Sequence, residues 1–162
     1  MSDGSQLVAR IPYPTTAPKH YAIASEVATM DFLRSYGIPV PRVYGYSSTS
    51  ENVVGVEYII MEMVEGRSIG DYWYLMTEEE RLKIIFQIAE IEGKLFSIRL
   101  PASGSIYYVE DLDSSTERVE LPGPNGTGPF CIGPATDLNL WYQERSILNI
   151  DRGPCKYSQS PK

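Results

Sequence analysis

Arg10 and Glu26 are the first residues whose types and spacing suggest chemistry. Glu26 lies three residues after Ile23, four before Met30 and seven before Leu33. At helical spacing its carboxylate therefore falls inside an apolar stripe and not opposite it. A carboxylate in that position needs a cation. Arg10 is the candidate: on a strand of period two it shares a face with Val8, and the helix that follows can pack beneath that face. Arginine keeps a fixed charge and a forked donor geometry suited to phosphate or carboxylate. The alternative is a partly exposed Glu26 at the rim of the stripe.

The elements that must position this pair are legible on either side of it. Gln6 to Ile11 reads as a short strand that follows the turn dipeptide Asp3-Gly4 and stops at Pro12 and Pro14. It is expected to be the second arm of a hairpin whose first arm would precede Met1, so the N-terminus looks cut. Ile23, Val27, Met30 and Leu33 define a helix over 18–36, closed by Gly37 and Pro39. Arg42 to Tyr46 and Val53 to Met63 read as two strands joined by a polar loop. A short helix follows over 69–75. Thr77 and Glu80 then have the spacing of a capping box, opening a helix through Leu82, Ile85, Phe86, Ala89 and Phe96 that ends near Arg99. Ser105 to Val109 reads as a strand, Glu120 to Pro134 as a Gly/Pro-rich loop and Asp137 to Ser146 as a helix. Residues 153–162 are expected to form a frayed tail.

Composition narrows the function classes. The 162 residues are 43% hydrophobic and 22% charged, which fits one ordinary globular domain. A net charge of -7 disfavours nucleic acid as a partner. No run of about 18 apolar residues is present to span a membrane. The polar start, without Lys or Arg, resembles neither a signal peptide nor a transit peptide, and the cytoplasm is the default compartment. Cys131 and Cys155 have neither metal-knuckle spacing nor a disulfide framework and read as free thiols in a reducing compartment.

The order of elements, together with four sequence blocks, carries a resemblance. The blocks are Val8-Ala9-Arg10-Ile11-Pro12-Tyr13-Pro14, Ser25-Glu26-Val27-Ala28-Thr29-Met30-Asp31-Phe32-Leu33, Gly37-Ile38-Pro39-Val40-Pro41-Arg42-Val43 and Tyr58-Ile59-Ile60-Met61-Glu62-Met63-Val64-Glu65-Gly66. The chain resembles the aminoglycoside phosphotransferase and choline-kinase-like family of the protein-kinase-like fold. The likeness is to the fungal branch that includes proteins named for altered inheritance of mitochondria, and it spans roughly residues 7 to 153. The resemblance implies an α+β fragment of the kinase-like fold. Residues 1–64 would form a partial N-lobe, an antiparallel sheet with one packed helix. Residues 65–152 would form the hinge and a partial helical C-lobe. It implies ATP and magnesium as cofactors and a hydroxyl acceptor. By resemblance Arg10 holds the nucleotide phosphates and Glu26 positions it, Met61 flanks the pocket, the Glu62 carbonyl and Val64 N–H pair with the adenine edge, and Val8 covers the ring. The branch's mitochondrial association is the alternative to a cytoplasmic compartment.

Phosphoryl transfer needs further parts, a base for the acceptor hydroxyl and ligands for the metal ions. The family's H-x-D-x-x-x-x-N-like loop, its following Asp and its Gly-rich loop are not found in these residues. His20, the one histidine, has no Asp two positions on and reads as a surface or capping group. Asp111 and Asp113 read as a solvated turn, Glu78 to Glu80 as a helix-start charge run, and Asp151-Arg152 as a loop-anchoring ion pair. Tyr72 to Tyr74, Tyr107-Tyr108 and Trp141-Tyr142 read as core and interface aromatics, not as a stacking platform. The expected function is thus a fragment of an ATP-dependent small-molecule phosphotransferase that is not competent alone, with weak or no nucleotide binding. The alternative is a non-catalytic kinase-like module that binds a partner protein or self-associates through open edges.

Overall fold

The computed structural model describes residues 6–126 and 128–156; the Asp3-Gly4 turn and residues 157–162 of the expected tail lie outside them. Four elements set the frame: strand β1 (Leu7–Arg10), helix α1 (Lys19–Ser35) and the strands β2 (Val43–Ser47) and β3 (Tyr58–Glu62). β3 is central in an antiparallel sheet of order β1-β3-β2, with Val8 opposite Met61 and Arg10 opposite Ile59. Cross-strand partners share a face, so Val8, Arg10, Ile59 and Met61 all point the same way. That face packs on α1, where Ile59 is sealed against Ile23 and Val27.

The expected strand over 53–63 is shorter at its start. Asn52 wins that segment: its Oδ1 accepts the N–H groups of Val54 and Gly55 at 2.8 and 3.0 Å, and its Nδ2 donates to the carbonyls of Thr49 and Val56. Gly55 at φ +78° completes the turn. A side chain that satisfies its own loop outweighs the β-propensity of Val53, Val54 and Val56.

Downstream come α2 (Ile69–Tyr72), α3 (Glu78–Ser97), β4 (Ala102–Ser103), β5 (Ser105–Tyr108), β6 (Val119–Leu121), β7 (Phe130–Gly133), α4 (Leu138–Trp141) and β8 (Cys155–Lys156). α3 starts on a complete capping box: the Thr77 hydroxyl accepts the Glu80 N–H while the Glu80 carboxylate accepts the Thr77 N–H.

The span 65–152 is not helical throughout. The expected loop over 120–134 contributes β6 and β7 to a second antiparallel sheet of order β5-β7-β6. β7 is the central strand and all four of its residues are buried, the short unbroken apolar run of a strand covered on both faces. The loop's Gly/Pro residues from Pro122 to Pro129 belong to the connection before it, while Gly133 ends β7 and Pro134 follows. Residues 137–146 form the single-turn α4 and a 3-10 stretch over 143–147 instead of one helix. Cys155 and Lys156 pair with Ser103 and Ala102, so the chain is in a sheet there and not frayed.

α1 lies between the two sheets and explains both. Ile23 and Val27 face the first sheet, while Ala24 and Ala28, one residue on, meet Tyr107, Cys131 and the cluster of Phe32, Leu121, Phe130 and Ile132. Two alanines at i and i+4 leave little side chain between helix and strand, which lets β5 lie close along α1. Phe32 and Phe130 meet edge to face at 5.4 Å between ring centroids.

Candidate functional site

The structure brings Arg10 and Glu26 together as an ion pair. β1 ends at Arg10, the chain turns through Ile11 to Thr16, and α1 returns beneath the sheet. Glu26 then sits two turns into the helix, between Ile23 and Met30 on the face that covers β3. The Arg10 side chain is 51% exposed and that of Glu26 30%, so the carboxylate holds the guanidinium without hiding it. An arginine carries five N–H donors, and those not aimed at Glu26 remain available to a ligand. Arg10, Tyr13, Thr16 and Glu26 line a cleft of about 120 Å³ floored by Ala22 and Ile23.

The other expected site residues lie along the same sheet. Val8 is half-buried and opposite Met61, which is half-buried against the cluster of Ile23, Val27 and Ile59. Glu62 ends β3 opposite Leu7, and its carboxylate accepts the Arg42 N–H at 3.0 Å. Val64, 60% exposed, follows the strand. Arg10 and Glu62 stand at opposite ends of the β1–β3 ladder, three residues apart in register, or about 10 Å at strand rise.

A second constellation was not legible as a site. The Tyr46 hydroxyl donates to both carboxylate oxygens of Asp111, at 3.0 and 2.8 Å. His20 Nε2 lies 3.2 Å from the Asp111 carbonyl and Nδ1 3.0 Å from the Ser48 hydroxyl. A carbonyl only accepts, so Nε2 carries the proton and Nδ1 accepts from Ser48 in the neutral ring. Asp111 is therefore no solvated turn and His20 no surface cap; together they tie α1, the first sheet and the end of β5. Burial pushes the Asp111 carboxyl up, Glu110 adds to it, and the Tyr46 hydroxyl opposes it. Burial and then the Asp111 carboxylate hold the Tyr46 phenol protonated well above its ordinary range. Alongside, the Tyr108 hydroxyl donates to Asp31 at 2.5 Å.

Arg152 does anchor a loop, but through different partners. It donates to the carbonyls of Leu140, Arg145 and Leu148 and lies 3.9 Å above the Trp141 ring, while the Asp151 carboxylate accepts the Gly153 N–H. Burial pushes the Cys131 thiol up, away from a reactive thiolate. A larger hollow of about 500 Å³ opens beside β6 and β7, with Glu120 as its one charged side chain. Among the described residues no three His, Cys, Asp or Glu side chains converge to hold a metal ion, and no helix is long and apolar enough to cross a membrane.

The site so far is a strand cation held by a helix carboxylate over a small open cleft. Comparison with known proteins finds relatives that are fungal. A subtelomeric hrmA-associated cluster protein of Aspergillus fumigatus is 49% identical over 157 residues, 96% of this chain and 30% of that protein. Altered inheritance of mitochondria protein 9, mitochondrial, is 32% identical in Saccharomyces cerevisiae, over 90% of this chain and 26% of that protein. In Candida tropicalis it is 37% identical, over 85% of this chain and 24% of that protein. The chain thus spans about a third or less of the length of these relatives. No family model matches the chain, and no solved structure matches it.

Proposed function

We propose that these residues form the nucleotide-holding part of an ATP-dependent small-molecule phosphotransferase of kinase-like fold. On this reading the chain alone holds nucleotide weakly and does not transfer phosphate. The observation that carries the reading is the Arg10–Glu26 pair, a fixed cation braced from a helix and left half-exposed over a cleft. Braced guanidinium donors are well suited to phosphate oxygens. Support also comes from spacing: the Glu62 backbone, whose carbonyl is assigned to the adenine edge, lies about 10 Å along the sheet from Arg10, the scale of an extended nucleotide. Between these ends Val8 would cover the ring and Met61, opposite it, would flank the pocket. The described residues fit the phosphates and the ring but offer no ligand set for magnesium, so no step is routed through the metal.

The test is a calorimetric titration of the purified chain with Mg-ATP, with Arg10→Ala as control and a thermal melt of both. Saturable binding weakened in Arg10→Ala supports the reading. A cooperative melt without binding overturns it and favours a second reading, a non-catalytic interaction module, for which the exposed apolar side chains of α3 speak. The relatives named as mitochondrial favour a mitochondrial compartment for this chain over the cytoplasm; fractionation of the producing cells decides between them.

A further inference from the structure

We propose that the Glu62 side chain keeps its own backbone carbonyl open for the nucleotide base, by taking the N–H group that would otherwise occupy that carbonyl. The inference rests on the nucleotide reading and adds a positioning residue to it. Val43 pairs with Met61, so one step along the antiparallel strands sets Arg42 directly opposite Glu62. The Glu62 N–H donates to the Arg42 carbonyl at 2.8 Å, which marks the two as a hydrogen-bonded pair. In a regular ladder such a pair exchanges both bonds, and the Arg42 N–H returns to the Glu62 carbonyl. Here it donates to Glu62 Oε2 instead, at 3.0 Å.

That exchange opens a backbone acceptor at the end of the sheet. The N–H and C=O of one strand residue point to the same side, so the Glu62 carbonyl faces β2, and Leu7, its neighbour on β1, is a non-hydrogen-bonded partner. The carboxylate is held by the Arg42 backbone and not by its guanidinium, which lies over the Tyr44 ring at 5.5 Å. A carbonyl only accepts, so an open one selects a base that presents an amino group at that edge. Without the side chain, the Arg42 N–H would close on the carbonyl and hold it in the ladder, and the base would lose its acceptor.

Calorimetric titration of the full chain with three ligands tests this, each with magnesium: ATP, purine riboside triphosphate, which has the same ring without the amino group, and tripolyphosphate, which has no base. The wild type should bind ATP about fivefold more tightly than the purine analogue, the difference that one neutral hydrogen bond makes. In Glu62→Ala and in Glu62→Leu that ratio should fall to about one, while tripolyphosphate affinity, which reads the Arg10 end, stays at the wild-type value. Glu62→Gln keeps an acceptor oxygen at the same reach and should keep the ratio. A ratio that survives in both Glu62→Ala and Glu62→Leu overturns the proposal and leaves the nucleotide reading standing, as does a wild type that binds the two triphosphates alike. Tripolyphosphate affinity that falls together with that for ATP would make Glu62 a general support of the sheet and also overturn it. A wild type that binds none of the three overturns the nucleotide reading itself, and this proposal with it.

Discussion

The Tyr46 hydroxyl donates to both carboxylate oxygens of Asp111, joining a strand of the first sheet to the 3-10 turn that ends β5, 65 residues later in the chain. The same turn offers its Asp111 carbonyl to His20 at the start of α1. Helix α1 carries Glu26 on one face and the packing of the second sheet on another. The orientation of the Arg10–Glu26 pair therefore depends on contacts made far from it.

Tyr46→Phe removes the one side-chain donor that the described residues offer to the half-buried Asp111 carboxylate, without changing the ring. The expected loss is about 1–3 kcal/mol, the usual consequence of stranding a charged acceptor. Asp111→Asn keeps a carbonyl acceptor for the phenol and should lose less. Urea denaturation of the three proteins gives the order wild type, Asp111→Asn, Tyr46→Phe; equal stability of Tyr46→Phe and wild type would mean that water replaces the phenol.

The pH dependence follows from the direction of the Asp111 shift. Its carboxyl is raised in the folded state, chiefly by burial, so folding binds a proton there. The contribution is favourable below the ordinary carboxylate range, near about pH 4, and is lost as pH rises through the raised folded value. Asp111→Asn should therefore be at its weakest relative to wild type in acid and should gain on it as pH rises towards neutrality. Melting temperatures of both proteins across that range check the sign, and a gap that widens with rising pH would contradict it.

What the sequence disclosed was local. The α1 stripe, the Gly37 stop and the Thr77–Glu80 capping box are decided by residues a few positions apart, and each stands in the structure. The partner of Glu26 was legible because strand and helix are consecutive. β6 and β7 were not, since strands of three and four residues beside a Pro122 to Pro129 connection carry too little alternation to register. Asp111 looked like turn chemistry because its partner is distant in sequence. The α3 stripe was visible as a demand for cover, but periodicity says nothing about what supplies it.

Gly104 links the two halves of a tight crossing between β4 and β5. It sits at φ +147°, and a Cβ there would lie 2.4 Å from the Gly133 carbonyl oxygen and 2.8 Å from the Ile132 methyl. Backbone cannot yield as a flexible side chain can, so Gly104→Ala should destabilise by about 3 kcal/mol. Gly66→Ala, where a Cβ meets nothing within 4 Å, is the control. Thermal melts should separate the two clearly.

The Arg10–Glu26 pair should matter more for ligand than for stability. An ion pair with this much solvent access is worth no more than about 1 kcal/mol to folding, so Arg10→Ala, Arg10→Lys and Glu26→Gln should melt close to wild type. Affinity for a nucleoside triphosphate should instead fall in the order wild type, Arg10→Lys, Arg10→Ala, because lysine keeps the charge but not the fork. Glu26→Gln removes the brace and leaves the cation, so it should weaken binding less than Arg10→Ala. On the nucleotide reading Glu26 acts as a positioning residue, and combining the two changes should cost no more than Arg10→Ala alone, because the brace has nothing left to hold. Independent, additive losses in the double variant would show that Glu26 acts on the nucleotide by another route, and unchanged affinity in all three would show the pair to be structural.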